Sequence, residues 1–98
     1  MLETFTLATF AVHLDQDFAL TAPDGAVLTA RLVEAAQVGS APPGGGRPPF
    51  SIVFRGPLEP ALGQGGYRFE HEQIGTFELF IVPIAADADG RRYEAVFA

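Results

Sequence analysis

The sequence predicts a mainly β domain, a small antiparallel barrel or strongly bent sheet of about six strands, with a short N-terminal helix. Three observations carry that expectation. From Phe50 to the C-terminus apolar and polar residues alternate with a period of two, the pattern of a half-buried strand. Turn residues recur between the alternating runs, at Pro23-Asp24-Gly25, Gln73-Ile74-Gly75 and Ala88-Asp89-Gly90. The connections are too short for a crossover helix, so successive strands are expected to run mainly antiparallel. A domain this small must also hide its sheet edges, which favours closure.

In chain order, Thr4 or Thr6 supplies an N-cap, and Phe5, Leu7, Phe10, Val12 and Leu14 recur on one helical face. The helix is predicted to end near Leu14 or Asp15 and to cover one open end of the sheet. From Asp17 the period changes to two, with Phe18, Leu20 and Ala22 on one side. The turn at Pro23–Gly25 leads into a second strand over Ala26 to Val38, where Leu28, Ala30 and Leu32 alternate with Thr29, Arg31 and Val33. Its alanines would also suit a helix, but the flanking turn and the Thr and Val content favour a strand. Gly39 to Pro49 reads as a flexible Gly/Pro loop, because proline donates nothing to a ladder and consecutive glycines are entropically costly to order.

Phe50, Ile52 and Phe54 form the next alternating run, ended by Gly56-Pro57. Leu58 to Gly66 is predicted as loop, with room for one helical turn at Glu59–Leu62. Tyr67 and Phe69 alternate with Arg68 and Glu70, and His71 falls on the aromatic side. Thr76 to Val82 continues as an almost wholly apolar strand stopped by Pro83. The last strand runs from Arg92 to Ala98, with Tyr93, Ala95 and Phe97 on one face.

Length and composition bound what such an object does. Residues 1–98 make one small domain, since neither side of the 39–49 loop is long enough to fold alone. Apolar residues are 48% and charged residues 18%, enough material for a core. With no cysteine there is no disulfide framework, thiolate metal site or cysteine nucleophile. A formal charge of −6 argues against nucleic-acid binding, which needs cations to displace phosphate counterions. Met1-Leu2-Glu3-Thr4 lacks a basic leader region, and the longest apolar run, Leu79 to Ala86, is far short of a membrane span. A soluble, cytoplasmic protein is expected. Six arginines and no lysine suggest a GC-rich bacterial coding sequence.

No catalytic constellation stands out. His71 in Glu70-His71-Glu72 offers a metal ligand or general base, but alternation sends the glutamates to the opposite face, and a structural histidine at the sheet rim is the simpler reading. His13 has no readable relation to it. Two histidines without cysteine are a poor zinc inventory. Asp87-Ala88-Asp89-Gly90 begins like a calcium loop but continues into Arg91 and Arg92, which would repel the ion. Gly44–Gly46 and Gly63-Gln64-Gly65-Gly66 lack the context and the lysine of a phosphate loop. Ser40 and Ser51 lie in no nucleophile elbow. Glu70 and Glu78, able to face each other across a hairpin, fit a solvated charge ladder with Arg68, Arg92 and Glu94. No cofactor, metal or enzymatic activity is expected. Phe50, Phe54, Tyr67, Phe69, Phe77, Tyr93 and Phe97 share one face and are predicted to fill the interior; a cavity for an apolar ligand is the alternative. Phe80 and Val82 fall on the opposite face, where they lie under the helix or mark an association surface.

Four stretches, Pro49-Phe50-Ser51-Ile52-Val53-Phe54-Arg55-Gly56-Pro57, Gly66-Tyr67-Arg68-Phe69-Glu70-His71, Gly75-Thr76-Phe77-Glu78-Leu79-Phe80-Ile81-Val82-Pro83-Ile84 and Arg92-Tyr93-Glu94-Ala95-Val96-Phe97, carry a likeness. Through them the second half of the chain resembles a family of small uncharacterised bacterial domains, a domain-of-unknown-function family. The resemblance implies one autonomous β domain and, through the phage-tail-collar-like neighbours of some members, a structural or assembly role; it transfers no site residues. The expected function is a non-catalytic interaction or assembly module with an unknown protein partner, a phage-tail-like component or a second copy of the chain among them. A small-barrel binding module for an apolar ligand is the alternative.

Overall fold

The computed structural model describes residues 4–98. Met1–Glu3, part of the segment read for leader character, lie outside them. One helix, α1 (Leu7–Ala11), precedes six strands: β1 (Asp17–Thr21), β2 (Val27–Gln37), β3 (Phe50–Gly56), β4 (Gly65–His71), β5 (Gly75–Asp87) and β6 (Gly90–Phe97). All pairings are antiparallel, and the strands close into a barrel in the order β1-β2-β3-β6-β5-β4. Closure comes from β1 against β4, where Leu20 stands opposite Phe69. A closed ring leaves no continuous free edge for another chain to template on.

The alternation does what the pleat requires. Phe50, Ile52 and Phe54 of β3, Tyr67 and Phe69 of β4, Phe77, Leu79 and Ile81 of β5, and Tyr93, Ala95 and Phe97 of β6 are all buried, with Phe18, Leu20, Ala30 and Leu32 from the first hairpin. Their rings touch in succession across the interior: Phe18 to Phe54 at 5.1 Å, Phe54 to Phe69 at 4.7 Å, Phe69 to Phe77 at 5.9 Å between centroids. Edge and offset contacts of this kind add to simple area burial. A ring-filled centre is a packed core.

The helix is shorter than the sequence suggests. Thr6 is its N-cap, with its backbone N–H donating to Thr9 Oγ1 at 3.0 Å. Helical geometry stops after Ala11 because the next residues turn towards the barrel, and Asp15 takes a left-handed φ of 66° while its N–H donates to Leu32 O. Asp tolerates that region better than most residues. Val12 and Leu14, read as part of a helical face, are exposed. What the helix contributes is Phe10, fully buried among Phe5, Phe50, Phe77 and Phe97, so it stoppers one end of the barrel.

The other end is closed by the Pro57–Gln64 connection, tied down by the two tyrosines. Leu62 N–H donates to Tyr93 Oη at 3.1 Å, and Tyr67 Oη donates to Gly63 O at 2.7 Å. Glu59–Leu62 therefore makes bends and no helical turn: Pro60 has no N–H, and that of Leu62 goes to a side chain instead of a helical carbonyl. Pro83 does not stop β5 either. The ladder with β6 continues to Asp87 opposite Gly90, and the register shifts between Pro83 and Ala85, a bulge that accommodates the missing donor. A second shift, between Leu32 and Glu34, bends β2. Arg68, not Glu70, stands opposite Glu78, and Glu70 faces Thr76, so the two glutamates are not a cross-strand pair.

The Gly/Pro loop is pinned at its base, where Val38 N–H donates to Pro49 O at 2.9 Å. Farther along, the Arg47 guanidinium sits over the rings of Phe50 and Phe97 and donates to Phe5 O. That cation–π seat holds the loop against the helix end of the barrel.

Candidate functional site

The structure leaves a block of apolar side chains on the outside of β5 and β6. Phe80 is 60% exposed, Val82 38%, Ile84 49% and Val96 61%. Strand alternation turns Phe80 and Val82 away from the core that their neighbours Leu79 and Ile81 fill. The helix does not cover them; it packs on the end of the barrel against β2 and β3. Phe80 stands opposite Gly66 on β4, which has no side chain to shield it. On its other flank the β5–β6 ladder begins only at Val82 opposite Glu94, and below that point Phe80 and Val96 line a groove of about 250 Å³. Val96 was legible as an outward residue of an alternating strand. Ile84 was not, because Pro83 read as a stop.

The helix end holds a polar arrangement that the sequence did not announce. Gln16, just before β1, is 55 residues from His71 yet accepts from it: His71 Nε2 lies 2.8 Å from Gln16 Oε1. His13 Nδ1 lies 2.9 Å from the same oxygen, and the two imidazole rings are 4.4 Å apart. His71 Nδ1 accepts from the backbone N–H groups of Gln73 and Ile74 at 3.1 and 3.3 Å, so in the neutral ring the proton is on Nε2 and is donated to Gln16. Both His71 nitrogens are thus engaged in hydrogen bonds within the fold. His71 is buried at the end of β4, its ring tilted against Phe18 at 4.5 Å between centroids, and it joins the segment before β1, through Gln16, to β4 and the turn that follows. Asp15, Asp17 and Glu72 line the groove beside it, but among the described residues no group of three or more His, Asp or Glu side chains is placed to hold a metal ion.

Burial pushes the His71 pKa down, His13 lowers it further, and Glu72 partly opposes both. The unfolded chain, with an ordinary histidine value of about 6.5, therefore takes up this proton first as the pH falls. Stability from neutral His71 is complete above that value and is lost as the pH drops through the depressed folded one. Thermal midpoints should fall between about pH 7 and pH 5, and fall less in His71→Gln; melting curves across that range check this.

The fold defines a class: a small closed antiparallel β-barrel with a packed aromatic interior. Within that class the chain belongs to the family described as Domain of unknown function (DUF6916), whose model matches residues 5–97. No curated protein and no solved structure matches it.

Proposed function

We propose that the chain is a non-catalytic interaction or assembly module that binds a protein partner through the outer face of β5 and β6. The observation that carries this reading is the contiguous exposure of Phe80, Val82, Ile84 and Val96 on neighbouring strands. Single exposed apolar side chains are common, whereas a block of them on one rigid sheet face is the usual mark of a surface covered by something else. A place in a bacterial, phage-tail-like assembly accords with the resemblance carried by the second half of the chain.

The test is a double variant, Phe80→Ser with Val82→Ser. Neither side chain belongs to the core, so stability should stay within about 0.5 kcal/mol of wild type per site. Cross-linking and co-purification from the native cell, with light scattering over a concentration series for self-association, should recover a partner or a dimer with wild type and lose it with the variant. Equal recovery by both proteins, or a monomer without any partner, sinks the proposal.

A further inference from the structure

The arginines of this acidic chain are not spread evenly. On the outer face, Arg31 of β2 stands directly opposite Arg55 of β3, and Arg55 stands directly opposite Arg92 of β6. Side chains so paired on one face have Cβ atoms about 4.5–5.5 Å apart, and like charges placed opposite each other destabilise a sheet. The outer two are compensated. Arg31 Nε donates to Asp17 Oδ1 at 3.3 Å, and Arg92 Nη1 donates to Asp87 Oδ2 at 2.6 Å.

Arg55, between them, has no hydrogen-bond or ion-pair partner among the described residues. The nearest carboxylates by register, Glu34 and Glu94, flank Val53 one outward step along β3 and make no ion pair with it. Nor is Arg55 a loose surface side chain. It is half-buried, and its Cγ packs beside Gly90, where a methyl group would press on it at 3.3 Å. A groove of about 560 Å³ opens there, lined by Arg31, Arg55, Gly56, Pro57 and Thr29, with Asp17 and Asp89 also on its wall.

We propose that this groove is an oxyanion-binding site, taking a carboxylate or phosphate group on Arg55 with Arg31 beside it. Such a group gives the middle arginine the direct partner that Asp17 and Asp89, on the same groove wall, do not provide. The planar guanidinium suits the task because it presents parallel donors to two oxygens at once. Asp17 engages Arg31 through Nε alone and so leaves its terminal nitrogens available. The site is independent of the apolar face on β5 and β6, and neither proposal needs the other.

Titration with inorganic phosphate and, separately, citrate at constant ionic strength tests it, followed by amide and arginine Nε chemical shifts. Saturable shifts centred on Arg55, Gly56 and Arg31, with a midpoint of about 10 mM or below, are expected for at least one anion. Saturation by phosphate alone assigns a phosphoryl ligand and saturation by citrate alone a polycarboxylate. Arg55→Gln should weaken that binding at least about fivefold while melting at or above wild type, since it removes two like-charge contacts. Arg68→Gln, on β4 across from Glu78, should bind as wild type does. Shifts that stay linear for both anions, or an equal loss in Arg68→Gln, would overturn the assignment.

Discussion

Replacing Phe10 with alanine is expected to destabilise the protein by about 3–5 kcal/mol, a large share of what a domain of this size has to lose. The ring is fully buried and meets four others, Phe5, Phe50, Phe77 and Phe97, at 5.4 to 6.2 Å between centroids. Those partners come from the chain start and from three strands, so no single neighbour can move into the space without leaving its own seat. A cavity opens where barrel, helix and the Arg47 strap converge. Because α1 spans only Leu7–Ala11, far below the length at which a helix is stable by itself, its order depends on this one anchor. Urea denaturation should show a lower midpoint with the slope retained, and Phe10→Leu should recover most of the loss. A cost under about 1 kcal/mol for Phe10→Ala would mean that the helix does not seal the barrel.

Gly90→Ala is expected to be the most damaging single-methyl change in the molecule, costing about 3 kcal/mol or more. Gly90 opens β6 with φ at +138°, a region that side chains rarely enter, directly after the Asp87–Asp89 turn. An added Cβ would sit inside van der Waals distance of the Gly56 carbonyl oxygen, which is backbone and cannot swing away. Two strains therefore act together, one torsional and one steric. Relieving them would pull β6 from β3 at the Gly56–Arg91 end of their ladder. Gly63→Ala is the matched control: its new methyl meets nothing within 4 Å and its φ lies outside the left-handed region. Reduced unfolded-chain entropy should leave that variant neutral or stabilised by about 0.4–1 kcal/mol. Thermal melts of the two proteins side by side decide the matter; similar midpoints would sink the steric argument.

How much of this was legible beforehand depends on how local each feature is. The inward set Phe50, Phe54, Tyr67, Phe69, Phe77, Tyr93 and Phe97 could be named from spacing, because the pleat sends successive side chains to opposite faces whatever the neighbouring strands are. The turn at Pro23–Gly25 was readable because Pro presets φ and Gly accepts a positive one, here 89° at Gly25. Pro83 misled because a proline ends a regular ladder, and only the bulge at Ile84 makes it tolerable inside one. Phe80 and Val82 could be assigned to the outer face but not to exposure, since whether a helix covers that face depends on where the chain start packs.

The sequence by itself therefore determined the class of element and the side of each strand that faces inward. Tertiary structure alone decided the strand order, the meeting of His13, Gln16 and His71, and the row Arg31–Arg55–Arg92. Alternation is set residue by residue by backbone geometry. Which strands become neighbours, and in what register, is set by closing the whole ring around its aromatic filling, and no short stretch of the chain contains that information.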